Sequence, residues 1–316
     1  MIFLKDFREI KGDASFRKFY RNTKKNSIIV FANKEKNKNL LIYDSINKIL
    51  IKNNIIAPQL LSQNYKKNYI EIQDLGKKTI YQIFSNYKKK QYPIFKKAIN
   101  VLNKIQLVKD KKIKNFKNEF YLIKDYKNKI LLDEASLFSH WYVPKKLDKK
   151  KINIFKTKFN REIKLLLSKL HFKNDTFVHR DFHVSNLIVN SKNQIGLIDN
   201  QDALIGNKAY DLASLIDDVR YKTSNSLKEK VYNYYLMTNK KINADKFKND
   251  YDILSVLRNL KIIGIFMRLA ERDKKRKYLK LIPYAWKMID NRIGKNKDLV
   301  NLKLLLETNF PKFITK

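Results

Sequence analysis

Residues 177 to 211 read FVHRDFHVSNLIVNSKNQIGLIDNQDALIGNKAYD, and the fold is decided in this stretch. His179 and Asp181 form an H-x-D. An asparagine, Asn186, follows five positions after that aspartate, and a second aspartate, Asp199, thirteen positions after the asparagine. Between Asn186 and Asp199 two β-rich runs, 187 to 189 and 195 to 198, flank a polar turn at 190 to 194, which predicts a hairpin. A hairpin returns the chain to its starting point, so Asn186 and Asp199 are expected side by side. Oxygen-bearing side chains so placed provide one base, Asp181, and two magnesium ligands: the neutral oxygen of Asn186 and the hard anionic oxygen of Asp199. They also leave room for a second magnesium ion. Transfer of a phosphoryl group to a hydroxyl needs positioning and charge neutralisation more than covalent chemistry, and this set supplies both. His179 and Asp211 read as residues that hold the Asp181 loop in shape. His183 either touches substrate or hydrogen-bonds within the loop. A hydrolytic metal centre is the competing use of such residues, but the histidine–carboxylate cluster it requires is missing.

The 316 residues are enough for two lobes with a real core, and 44% are hydrophobic. The chain has no cysteine, which excludes disulfides and thiolate metal sites and points to a reducing compartment. The first eight residues are already charged and no apolar run follows, so no signal peptide is expected. No apolar run is long enough to cross a bilayer. A cytoplasmic, soluble monomer is expected, without nucleic-acid or membrane partners. The formal charge of +39 invites a nucleic-acid-binding reading, with the phosphoryl-transfer motif vestigial. Against it, the basic runs are short and scattered and no aromatic RNA-binding signature or zinc knuckle accompanies them.

Upstream, residues 12 to 32 read GDASFRKFYRNTKKNSIIVFA. Runs at 15 to 20 and 27 to 32 around the turn 22 to 26 predict a second hairpin. The small-residue loop at its mouth either lies over phosphates, with Arg17, Lys18 and Arg21 beside it, or is an ordinary hairpin end. Apolar spacing predicts a helix over 38 to 53. The run YIEIQ, 69 to 73, reads as a strand leading into Asp74-Leu75-Gly76. That turn is either a hinge whose backbone at Gln73 and Leu75 meets an adenine edge, or a plain strand-to-helix turn. Helices are expected at 79 to 86, 92 to 108, 117 to 131, 134 to 142 and 151 to 170, then at 209 to 219, 225 to 238, 250 to 270, 273 to 290 and 298 to 306. Within DEASLFSHWYVP, 133 to 144, Trp141 and Tyr142 beside Glu134 are either a sugar-stacking wall or core.

The motif H-x-D-x-x-x-x-N, then strand–turn–strand, then I-D, closely resembles the aminoglycoside phosphotransferase/choline kinase family. Within that family the best resemblance is to bacterial anomeric sugar kinases, which phosphorylate N-acetylmuramate and N-acetylglucosamine at C1 in cell-wall recycling. GDASFRKFYR is similar to that branch's GDASFRRYFR, EIQDLG to its EDLG hinge and EASLFSHWY to its E-x-x-L-F-x-x-W-Y. The resemblance spans most of residues 12 to 220. It implies an α+β, protein-kinase-like two-lobe fold, with a small β-rich N-lobe over 1 to 75 and a larger, mostly helical C-lobe over 76 to 316. It implies ATP and Mg²⁺ as cofactors, Asp181 as catalytic base, Asn186 and Asp199 as metal ligands, and Ala14-Ser15-Phe16 over the nucleotide phosphates.

Two departures stand out. Many members of the family carry a lysine, paired with a helix glutamate, in the strand matching residues 27 to 32. None lies there, as also in the sugar-kinase branch, so Arg17, Lys18, Arg21 and Lys34 are all candidates to meet the phosphates. Asn200 stands where the branch has an aromatic, which questions the packing behind Asp199. Family kinases acting on cationic aminoglycosides line their sites with acids. This basic chain offers few near the motif (Glu134, Asp202, Asp217 and Asp218), which favours an uncharged or anionic sugar. Choline, an aminoglycoside or another small alcohol is the competing acceptor.

Overall fold

The computed structural model describes residues 6–10, 17–33, 35, 38–86 and 91–313. Ala14, Ser15, Phe16 and Lys34 lie outside the described residues. In chain order the elements are β1 (Phe7–Ile10), β2 (Lys18–Asn22), β3 (Ser27–Phe31), α1 (Asn39–Lys52), β4 (Leu60–Asn64), β5 (Tyr69–Gln73), α2 (Ile80–Asn86), α3 (Gln91–Gln106), β6 (Lys112–Lys114) and β7 (Phe120–Leu122). Then come α4 (Asn128–Leu137), α5 (Lys149–Ser168), β8 (Thr176–Val178), β9 (Leu187–Val189), β10 (Ile195–Leu197) and β11 (Leu204–Gly206). The chain closes with α6 (Ala209–Ile216), α7 (Asn225–Thr238), α8 (Ala244–Glu271), α9 (Ile282–Ile293) and α10 (Val300–Asn309).

Contacts divide the chain into two compact units, 1–124 with 179–204, and 125–178 with 205–316. Within the first unit the β9–β10 hairpin and the loop before it are sewn to the segment 56–81. Leu197 N–H donates to Ile56 O at 2.8 Å, Val189 N–H to Lys78 O at 2.9 Å and Tyr81 N–H to Val184 O at 3.0 Å.

The first unit is built on a five-stranded antiparallel sheet of order β1-β2-β3-β5-β4. β2 and β3 form the expected hairpin, with Phe19 opposite Val30 and Arg21 opposite Ile28. Its turn is closed by Asn22, whose side-chain oxygen accepts from the N–H groups of Lys24 and Lys25. Alternation in β3 and β5 sends Val30, Ile70 and Ile72 into a core against Leu40 and Tyr43 of α1. β1 and β4 were not legible as strands. Both are short edge strands with mostly exposed or half-buried residues, so neither carries a strong alternation.

The helix expected over 117 to 131 is replaced by a β6–β7 hairpin, with Lys112 opposite Leu122, and by a later helix, α4. The turn chemistry of Asn115 overrides the apolar spacing. Its side-chain oxygen accepts from the N–H groups of Lys117 and Glu119, and Asn118 takes the left-handed conformation at φ 61°. Downstream of α4 the segment 138–142 is a π-helical turn.

The second unit surrounds α8, a 28-residue helix buried along most of its length. Gly264 lets α8 approach the end of α4, since a Cβ there would lie 2.3 Å from the carbonyl carbon of Leu137. Tyr142 is 1% exposed and packs among Phe138, Trp286 and Phe310, donating no sugar-facing wall; its hydroxyl accepts from Trp286 Nε1 at 3.2 Å. The buried carboxylate of Asp217 takes Lys228 Nζ at 2.9 Å, both donors of Arg292 at 3.0 and 3.1 Å and the Ser255 hydroxyl at 2.7 Å. Burial alone would raise its pKa, but the charges of Lys228 and Arg292 outweigh burial and hold it well below the usual carboxylate range. Asp217 is therefore a structural anchor of this unit. Among the described residues no helix is long and apolar enough to cross a membrane.

Candidate active site

The residues that bear the chemistry sit on two short loops and the β9–β10 hairpin of the first unit. β9 and β10 pair Leu187 with Leu197 and Val189 with Ile195. The ladder continues one step, with Ile198 N–H donating to Asn186 O at 3.1 Å, so Asn186 is brought beside the residue preceding Asp199. This is the juxtaposition that the spacing predicted. Asn186 donates its Nδ2 to Asp181 O at 3.0 Å. An amide so held turns its Oδ1 away from that contact, free to act as a neutral hard ligand.

The Asp181 loop is held from behind. Asp181 N–H donates to His179 Nδ1 at 3.3 Å, and the loop turns through His183 N–H to Asp181 O and Asn186 N–H to His183 O. On its other side His179 Nε2 meets Asn200 Oδ1 at 2.8 Å. Asn200 cannot be flipped, because its Nδ2 donates to Asn47 Oδ1 at 2.8 Å and to Leu197 O at 3.2 Å. Asn47 in turn donates to Pro58 O at 3.0 Å. This directionality assigns the histidine as a neutral imidazole carrying its proton on Nε2. A buried relay thus runs from Pro58 through α1 to the backbone of Asp181. Asn200 is fully buried, and polar bonds replace the aromatic packing that the resemblance implied behind Asp199.

Asp199 adopts a left-handed backbone at φ 64°, and Arg180 another at φ 73°. Residues other than glycine rarely sit there, and such strain concentrates at functional loops. The Asp199 Oδ1 accepts from Arg17 at 2.8 Å and from Gln201 Nε2 at 3.2 Å. The Gln201 amide also donates to the exposed Asp202 carboxylate at 2.7 Å, so one glutamine spans both acids.

The four candidate cations have separated. Arg21 is committed to the 74–76 turn through both Asp74 oxygens and Gly76 O. Lys18 is exposed on β2. Lys34 is not among the described residues. Arg17 is 6% exposed and reaches Asp199. At the turn, Gln73 N–H is used by Gln59 O, and the Leu75 side chain packs where a Cβ on Gly196 would fall, 2.8 Å away.

The other expected residues are placed as follows. His183 is buried and its Nε2 lies 3.5 Å from Asn186 Nδ2, which makes it part of the loop's own architecture. In the second unit Asp211 is buried in the first turn of α6. Glu134 on α4 is bonded by Tyr126 OH and by Lys261 Nζ at 3.0 Å, while Trp141 is half-buried. Asn47 and Asn200 were missed as site residues. The signal was present for Asn47, a lone amide on the apolar α1 stripe of Leu40, Tyr43 and Leu50.

The oxygen donors suit magnesium rather than a transition metal. Among the described residues no cluster of three or more histidines, cysteines or acids could hold a metal by itself. One carboxylate and one amide leave most positions of an octahedral ion to phosphate and water.

The model of the phosphotransferase enzyme family (APH) matches residues 6–244. This chain belongs to that family. The N-acetylmuramate/N-acetylglucosamine kinase of Pseudomonas putida is 26% identical over 302 residues, covering 93% of this chain and 86% of that protein. Among solved structures, a choline/ethanolamine kinase family protein from Mesorhizobium loti superposes with a TM-score of 0.63 at 11% identity, covering 96% of this chain and 93% of that one. The aminoglycoside phosphotransferase APH(2'')-Ib, ADP-bound, gives 0.61 at 15% identity, covering 91% and 95%. The fold is kinase-like, and the chain is a small-molecule phosphotransferase.

Proposed function

We propose that this phosphotransferase transfers the γ-phosphoryl group of ATP to the anomeric hydroxyl of an N-acetylated amino sugar, N-acetylmuramate or N-acetylglucosamine, in cell-wall sugar recycling in the cytoplasm. The observation that carries the reading is the relay-held Asp181 loop abutting the Asn186–Asp199 hairpin, in a chain similar over most of its length to kinases named for those sugars.

Asp181 accepts the proton of the attacking hydroxyl while His179 and Asn200 keep its backbone in place. Asn186 and Asp199 hold Mg²⁺, which supplies charge neutralisation at the phosphates. The backbone at Leu75 takes the adenine edge, and the exposed Asp202 borders the acceptor. The excess of positive charge over the whole chain favours an acceptor that is neutral or, like the lactyl ether of a muramate, anionic.

Incubation with ATP and Mg²⁺ and a panel of N-acetylmuramate, N-acetylglucosamine, choline and kanamycin, read by ³¹P NMR, tests this. A sugar-1-phosphate doublet from either N-acetylated sugar is expected. Turnover confined to choline or kanamycin would reassign the acceptor and leave the phosphotransfer centre standing.

A further inference from the structure

Arg17 lies directly against the acid that the reading above assigns to the metal. Its Nη2 is 2.8 Å from Asp199 Oδ1, with the arginine side chain 5% exposed and the aspartate 37% exposed. The guanidinium carbon stands 5.8 Å from the ring centroids of both Phe19 and Tyr43, on β2 and α1. A charged head this deep in the fold is costly unless paired, so the aromatic slot and the acid together form a built seat for it. β3 contains no lysine, and Arg21 is spent on the 74–76 turn. Of the described cations considered, Arg17 alone is placed at Asp199.

Seated there, Arg17 neutralises the carboxylate that a divalent cation needs. A metal arriving without nucleotide meets a full positive charge on its ligand and must displace it without bringing a phosphate in exchange. A metal arriving with a nucleoside triphosphate brings phosphate oxygens, the partner for which the planar fork of arginine is suited.

We propose that Arg17 does the work of the absent strand lysine as an exchanging partner: it sits on Asp199 when nucleotide is absent and moves to the nucleotide phosphates when metal takes Asp199. Metal and nucleotide thereby admit one another. This rests on the assignment of Asp199 as a metal ligand. Arg17 is a positioning residue for the metal and a binding residue for the phosphates.

The test is Mn²⁺ binding to the full chain by electron paramagnetic resonance, with and without ADP, together with ADP binding by calorimetry. Wild type binds Mn²⁺ weakly alone and much more tightly with ADP. Arg17→Gln tightens Mn²⁺ binding in the absence of nucleotide and weakens binding of ADP in the presence of Mn²⁺, each by about tenfold, within the usual range of couplings between sites. Arg17→Lys, which keeps the charge, restores most of the ADP affinity. A merely structural arginine would weaken both bindings together and lower the melting temperature, and that pattern overturns the proposal. So does an Arg17→Gln protein whose nucleotide-free Mn²⁺ affinity is unchanged. Asp199→Asn separates the two levels of the claim: it abolishes Mn²⁺ binding with ADP if the assignment holds, and retention of that binding overturns the assignment and the exchange together.

Discussion

Asn200 and Asn47, 153 positions apart in the chain, share a fully buried hydrogen bond of 2.8 Å. Through it the helix packed on the sheet reaches His179, and through His179 the backbone of Asp181. An amide pair at this depth is stabilising only while both members are present, because loss of one strands the polar atoms of the other. Asn200→Ala and Asn47→Ala are each expected to cost about 2 kcal/mol in denaturant unfolding. The double variant should cost clearly less than the sum, since it leaves fewer orphaned partners. Additive effects would break the relay. Asn200→Ala should also lower kcat more than it raises KM for ATP, because the loop it supports carries the base.

Asp181→Asn keeps the size and the backbone bonds of the loop and removes the proton acceptor. Turnover is expected to fall by about 10³-fold, within the span attributed to general bases, with the melting temperature nearly unchanged. Steady-state kinetics and a thermal scan on one preparation decide it. An active Asp181→Asn protein would refute the base assignment.

Asp217 ties stability to pH. Its carboxyl is held down in the folded state by Lys228 and Arg292, so the folded protein favours its charged form more than the unfolded chain does. That contribution is complete above the unfolded carboxylate value of about 4 and is lost as pH falls through the lower folded value. Asp217→Asn should therefore be strongly destabilised at neutral pH, by about 3 kcal/mol or more, since the buried Lys228 and the half-buried Arg292 lose their counter-charge. The gap to wild type should narrow steadily below about pH 4. A gap that stays constant from pH 7 to pH 2 would remove the ion pair from the explanation.

Gly264 is a test of close packing in the helical unit. An added methyl would stand 2.3 Å from Leu137 C and 2.5 Å from Leu137 O, both backbone atoms that cannot swing aside. Gly264→Ala should cost about 3 kcal/mol despite the better helix propensity of alanine. A melting temperature equal to wild type would show that α8 and the end of α4 part without penalty.

Much of the centre was legible because its parts are local. Asn186 and Asp199 are joined by a hairpin whose strands and turn all fall within thirteen positions, and β5 and α7 followed from equally plain patterns. What stayed hidden depends on partners far away in the chain. The Arg17–Asp199 contact spans 182 positions, and no spacing rule could choose Arg17 over Arg21. Asn200 looked like a defect in a pattern of aromatics until Asn47 and His179 supplied its partners. Tyr142 belonged to the core because Trp286 and Phe310, both far downstream, close over it. The helix wrongly expected over 117 to 131 failed for a local reason, the turn chemistry of one asparagine.

Arg17 immediately precedes β2 and keeps its alternation with Phe19 and Arg21, and the two arginines reach Asp199 and the 74–76 turn respectively. In a strand, a shift by one residue reverses which side chains face inward. Deleting a single residue from the turn at 23–26 would thus move both arginines to the opposite face at once, though neither had been altered. The turn is free to change its letters but not its length, and a protein with every site residue intact can still be silenced by a change of spacing there.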